Sequence, residues 1–164
     1  MRFRLAVLVA VTSSLTVVSP ALAGPSRHTA HPAVHHTAAA DWTFVQRQLY
    51  GVSLSTFTNA GTRDPWFDWS HDGCSAPLVG NSGLSFDFRS ACNRHDFGYR
   101  NLKLLERRYG SGTTYWNGTN RRRVDQQFLA DMKAHCRTRS FLLQPSCFGW
   151  AETFYVVVRA LGGP

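Results

Sequence analysis

The run Phe88-Arg89-Ser90-Ala91-Cys92-Asn93-Arg94-His95-Asp96-Phe97-Gly98-Tyr99-Arg100-Asn101-Leu102 decides how the rest of the chain reads. Phe88, Cys92, His95, Tyr99 and Leu102 recur at steps of three and four, which places them on one face of a helix. Asp87 has the side chain of an N-cap, and Gly110 suits the position just past a helix end, so the helix is expected between them. Its apolar face carries an anomaly: His95 stands in the middle of the stripe, with Asp96 on its flank.

Downstream, residues 110–118 are rich in Gly, Ser and Thr and read as a linker. Asn120 is expected to cap a second long helix, whose buried face is Val124, Phe128, Leu129, Met132 and Cys136. Asp125 falls inside that face, where a carboxylate is costly unless something pairs with it. Asp131 falls at its edge. Arg121, Arg122 and Arg123 crowd the first turn, the unfavourable end of the helix dipole for cations, and read as a solvated charge run. A loop with Pro145 then leads to a last helix over residues 148–161.

Upstream, Asp41 is expected to cap a helix with Trp42, Val45 and Leu49 at helical spacing, and a short apolar segment surrounds Leu54 and Phe57. Trp66, Phe67 and Trp69 precede an irregular loop marked by Gly73, Pro77, Gly80 and Gly83. The expected fold is all-α: a small helical domain with two long antiparallel central helices, a cation-binding loop, two disulfides and no internal repeat.

The first residues stand apart from that domain. Arg2 and Arg4 precede an apolar stretch that ends in Ser19-Pro20 and the small-residue site Ala21-Leu22-Ala23, the pattern of a secretory signal peptide over residues 1–23. That stretch is shorter than the roughly 20 residues a bilayer span needs. Residues 24–40 are rich in Ala, His, Thr and Pro and read as a flexible tail or pro-segment; His28, His31, His35 and His36 there are more simply disordered than metal-binding. The folded domain is assigned to 41–164.

The formal charge of +8 falls by two with the signal peptide. A basic exported protein meets nucleic acid or an anionic membrane, and charge alone does not choose between them. Four cysteines, Cys74, Cys92, Cys136 and Cys147, imply two disulfides in an oxidising compartment. Three pairings exist. Nearest neighbours are favoured, each closing a loop of ten to twenty residues worth roughly 3 kcal/mol. The spacing does not fit a zinc ribbon.

If Cys74 pairs with Cys92, the Asp72-Gly73 turn is pinned one helical turn before His95-Asp96, on the same side of the helix. Asp72, Asp96 and loop carbonyls then make a hard oxygen site, suited to calcium. If the long helices pack antiparallel, His95 and Asp125 meet between them, which explains both buried polar residues at once. A base, an orienting carboxylate and a cation suit ester hydrolysis by water.

Cys92-Asn93-Arg94-His95-Asp96-Phe97-Gly98-Tyr99-Arg100-Asn101 closely resembles the C-x-R-H-D-F-G-Y-R-N active-site helix of secreted bacterial and fungal phospholipases A2. Phe67-Asp68-Trp69-Ser70-His71-Asp72-Gly73-Cys74-Ser75 resembles their calcium-loop segment, and Arg123-Val124-Asp125-Gln126-Gln127-Phe128 with Asp131-Met132-Lys133 their second helix. The resemblance implies His95 as general base, Asp125 as its partner, Tyr99 as a supporting hydrogen-bond donor, and calcium on Asp72, Gly73 and Asp96. It implies the disulfides Cys74–Cys92 and Cys136–Cys147. It further implies a secreted monomer acting on a phospholipid membrane or micelle, with no nucleic-acid partner, and releasing the sn-2 fatty acid. Two rivals remain: a basic ribonuclease using His95 and His135, which leaves Asp72 and Asp96 unexplained, and a non-catalytic membrane binder on the same fold.

Overall fold

The computed structural model describes residues 35–74 and 80–163. The signal segment 1–23, residues 24–34 with His28 and His31, and the loop residues Ser75 and Pro77 lie outside the described residues.

Five α-helices are described: α1, Ala38–Gln46; α2, Leu54–Thr58; α3, Arg89–Tyr109; α4, Gly118–Arg137; and α5, Gln144–Leu161. A π-helical turn, Arg47–Gly51, continues α1. Among the described residues there is no β-strand, only an isolated bridge between Ser82 and Asp87. The expected all-α class holds, and so do both disulfides, Cys74–Cys92 and Cys136–Cys147, with Cα atoms 5.3 and 5.5 Å apart.

The helix boundaries differ from expectation by a few residues, and at α1 and α4 a nearby residue makes the better cap. Thr37, not Asp41, caps α1 by accepting the Ala40 N–H at 3.2 Å. Asp41 lies in the first turn, 2 % exposed, and accepts from His36 Nδ1 (2.8 Å), Trp66 Nε1 (2.6 Å) and Tyr109 Oη (3.0 Å). Residues 36–40, assigned to a flexible tail, therefore belong to the folded domain, and His36 stacks on Trp66. Buried Phe88 stands at the cap position of α3, while Asp87, one residue earlier, accepts the Arg89 N–H at 3.2 Å and clasps the Arg89 side chain at 2.5 and 2.8 Å. Asn117 caps α4 through Oδ1, which accepts from Thr119 N and Asn120 N; Asn120 instead donates to the Tyr115 carbonyl. Pro145 opens α5 rather than lying in a loop, since a missing N–H costs nothing in a first helical turn.

Helices α3 and α4 run antiparallel. Phe88 faces His135, Arg94 pairs with Asp131, His95 meets Asp125, and Tyr99 reaches Arg121, so one numbering rises as the other falls. Gly98 lets them approach: a Cβ there would stand 2.8 Å from Val124 Cγ1 and 2.9 Å from Leu49 Cδ2. The linker is strapped by Glu106, whose carboxylate accepts the N–H groups of Gly112, Tyr115 and Trp116.

Apolar side chains form two clusters. One joins α1, α2, α3 and α4 around Val45, Leu49, Phe97, Leu105 and Val124; the other joins α3, α4 and α5 around Phe88, Phe128, Met132 and Phe154. Phe67 stacks on Phe44, and Trp69 packs on Phe97, so the aromatic run before the loop serves the first cluster. Asp131, read as an edge residue, is buried against Arg94, which also donates to the Val52 carbonyl.

Candidate active site

Each long helix delivers one polar side chain into the seam between the clusters. His95 Nε2 lies 2.8 Å from Asp125 Oδ1, with His95 8 % exposed and Asp125 fully buried. A carboxylate beside Nε2 calls for a proton on that nitrogen, which leaves Nδ1 as the lone-pair nitrogen. Phe128 and Tyr99 flank the ring.

Asp125 is held from three further directions. Tyr99 Oη donates to Oδ1 at 2.6 Å, Arg159 Nη1 donates to Oδ2 at 2.7 Å, and Arg121 Nε lies 3.7 Å from Oδ2. Burial by itself raises the pKa of this carboxyl; the hydrogen bonds from His95, Tyr99 and Arg159 outweigh it and hold the group below the usual aspartate range. Tyr99 is pushed up, by burial first and then by the Asp125 carboxylate, and stays a hydroxyl donor. Arg121 also donates to Tyr99 Oη at 3.1 Å and to the carbonyls of Val158 and Arg159 near the end of α5. The arginine run at the start of α4 is thus divided: Arg121 is buried, while Arg122 and Arg123 are exposed.

The Cys74–Cys92 bridge brings the Asp72-Gly73 turn to the first half of α3. Asp96 Oδ2 accepts from the N–H groups of Asp72 and Gly73 at 3.1 Å each. Gly73 has φ of 74°, a conformation that costs other residues a Cβ clash. Burial, and then the neighbouring Asp72 carboxylate, push the Asp96 carboxyl up to about 6. The Asp72 and Asp96 carboxylates and the Gly73 carbonyl offer oxygen donors that could hold a divalent cation. Among the described residues no group of three or more His, Cys, Asp or Glu is gathered, so the other ligands would be loop carbonyls and water.

These groups line a cleft of about 410 Å³. Asp72, Gly73, Asp96 and His95 form one side, and Phe154, Val157, Val158 and Leu161 of α5 form an apolar wall. The arrangement offers a nitrogen lone pair, a carboxylate-oriented imidazole, an oxygen site for a cation and a surface for an acyl chain.

The structure brings together the residues that the resemblance implies for the site: His95 with Asp125 and Tyr99, and Asp72 and Gly73 with Asp96. Sequence reasoning missed Arg159, Arg121 and the apolar wall of α5. Arg159 did leave a signal, since it is the single charge in an otherwise apolar stretch, the same anomaly that marks Asp125.

Residues 45–162 match the model of a family described as prokaryotic phospholipase A2. A protein named secretory phospholipase A2 from Beauveria bassiana is 36% identical over 119 residues, covering 71% of this chain and 56% of that protein. One of the same name from Arthroderma benhamiae is 36% identical over 121 residues, covering 71% and 75%. The chain therefore spans little more than half the length of the Beauveria relative.

Proposed function

The chain belongs to the prokaryotic phospholipase A2 family, and on that premise we propose that it is a secreted, calcium-dependent phospholipase A2 that cleaves the sn-2 acyl ester of glycerophospholipids. The observation that carries this reading is the His95–Asp125 contact, set in an apolar-walled cleft beside the Asp72–Asp96 pair.

In this reading water stands at His95 Nδ1 and gives up a proton as it attacks the ester carbonyl. The imidazole becomes positive against the buried Asp125 carboxylate, which Tyr99 and Arg159 hold in place. The same proton then passes to the departing glyceryl oxygen, leaving a fatty acid and a lysophospholipid. A positioned base of this kind is worth about 10²–10⁴-fold. Asp72, Asp96 and the Gly73 carbonyl would hold calcium, which when bound supplies positive charge for the oxyanion at the ester carbonyl. Phe154, Val157, Val158 and Leu161 receive the acyl chain.

Export rests on the signal-peptide pattern and agrees with the names of the fungal relatives. No helix among the described residues is long and apolar enough to cross a membrane. The ribonuclease alternative needs His95 and His135 to act together. His135 lies ten residues beyond Asp125 on α4, roughly 15 Å along the axis, and its Nε2 accepts the Asp87 N–H at 3.1 Å. Burial and the nearby Arg139 also hold its pKa down.

Fatty-acid release from phospholipid vesicles, measured with calcium and with excess chelator, tests the proposal. Release should appear only with calcium and should fall at least a hundredfold in His95→Gln while the helical circular dichroism is unchanged. Release that survives the chelator removes the calcium assignment, and release that survives His95→Gln removes the base.

A further inference from the structure

Asp72, Asp96 and Tyr99 line a second cavity, of about 390 Å³, along with Asp68, Arg100, Lys103 and Arg107. The two cavities share three residues, so they are neighbouring parts of one surface. On α3, Asp96, Arg100, Lys103 and Arg107 follow at steps of four, three and four and form one stripe. It leads away from the catalytic end of the helix for roughly 16 Å.

The charges of this stripe are held in different ways. Arg100 Nη2 lies 3.2 Å from Asp72 Oδ2, an ion pair with the arginine 34 % and the aspartate 69 % exposed. A pair that open to water is weak and exchanges partners easily. Lys103 and Arg107 are exposed, and Lys103 Nζ stands over the Trp116 ring at 4.6 Å. Asp68 accepts from Ser70 N at 2.9 Å and Ser70 Oγ at 2.5 Å and keeps its charge, which Arg100 and Arg107 offset in part; it leaves Lys103 and its place over Trp116 outside that balance.

Resting on the phospholipase reading, we propose that this stripe is a headgroup site that selects anionic glycerophospholipids. A lipid whose ester lies over His95 carries its phosphodiester towards Arg100, which exchanges the Asp72 carboxylate for the phosphate oxygens. Guanidinium suits that anion through paired N–H donors. Every glycerophospholipid has this phosphodiester, so Arg100 serves all of them. Lys103 and Arg107 lie one and two turns further on and meet the headgroup beyond the phosphate: they repel a choline cation, whereas a neutral polyol leaves the lipid its net negative charge for them to attract.

Short-chain lipids dispersed below their micelle concentration separate this site from attraction to a charged bilayer. With dihexanoyl phosphatidylglycerol and dihexanoyl phosphatidylcholine in calcium buffer, kcat/KM should favour the anionic lipid about five- to tenfold, the scale of two partly exposed charges. Lys103→Gln/Arg107→Gln should bring the ratio close to one, and Arg100→Gln should lower both rates alike. Arg137→Gln, an exposed charge at the far end of α4, should change neither. Calorimetric titration with the non-hydrolysable diether analogues of both lipids should show the same order of affinities. A ratio near one in the unaltered chain, a ratio that survives the double substitution, or an equal loss in Arg137→Gln overturns the proposal. If neither ester is hydrolysed, the phospholipase reading falls, and the diether titrations alone decide the headgroup site by the same criteria.

Discussion

On Asp125 converge one imidazole, one phenol and two guanidinium groups. Its two oxygens are taken up by His95, Tyr99 and Arg159, from two other helices. Because its folded pKa is depressed, its contribution to stability is present above the unfolded value of about 3.9 and is lost as pH falls through the folded value. Arg159→Met removes one of the groups that lower it. The variant should melt about 3–5 °C below the parent at pH 7, the equivalent of roughly 1 kcal/mol for a charged hydrogen bond. Scanning calorimetry across pH should show that gap narrowing as pH falls below about 4 and closing once it passes below the folded value, where the carboxyl is protonated in both states. A gap that stays constant down to acid pH would mean that Arg159 acts by packing alone. The contact of His95 with Asp125 is legible in sequence because each is a polar residue on an apolar helical face. Arg159 carries the same mark but interrupts a short stretch that reads as helix filler. Arg94 and Asp131 leave no mark at all, since each lies beside its stripe, and only the packing of α3 against α4 buries them together.

At the scale of elements, the proposed hydrolysis depends on how closely α3 meets α4. Gly98 sets that spacing. Gly98→Ala puts a methyl group into Val124 and Leu49, at 2.8 and 2.9 Å, and should cost about 1–3 kcal/mol as an overpacked contact. It should also lower kcat by widening the His95–Asp125 gap; an unchanged kcat with an unchanged melting temperature would show that the seam yields elsewhere. The Cys74–Cys92 bridge sets the other spacing, between the Asp72-Gly73 turn and Asp96. Replacing both cysteines with serine should cost roughly 3 kcal/mol and weaken calcium binding measured by calorimetry. Retained affinity would assign loop placement to the Asp96 hydrogen bonds instead. Helices were readable from periodicity, but their first residues were not. Asp41, Asp87 and Asn120 all have capping side chains, but Asp41 is committed to a buried cluster and Asn120 to Tyr115, while Asp87 accepts the Arg89 N–H from one residue outside the cap position. The short-range pattern shows which residues can cap, and long-range contacts decide which do.

For the whole molecule, buried aspartates tie the two apolar clusters to neutral or basic pH. Burial raises the pKa of Asp41, and its bonds to His36, Trp66 and Tyr109 more than reverse this, so it too is held low. Asp41 joins α1 to the end of α3, and Asp125 joins α3, α4 and α5. Both contributions are present above about pH 4 and vanish on acidification below it. The melting temperature should therefore drop steeply below pH 4, with near-ultraviolet and far-ultraviolet circular dichroism changing together; separate transitions would show that the clusters unfold independently. The docking of α5 adds a matter of timing. Its Arg159 and its apolar wall belong to the second half of α5, which follows α3 and α4 along the chain, and the Cys136–Cys147 bridge ties that helix to α4. A chain still leaving the ribosome already carries His95 and Asp125, yet it has neither the guanidinium that steadies the pair nor a surface to receive an acyl chain. If the proposed hydrolysis holds, a chain under synthesis is thus kept from attacking a membrane until α5 has been made and docked, and the order of the helices along the chain acts as a safety catch.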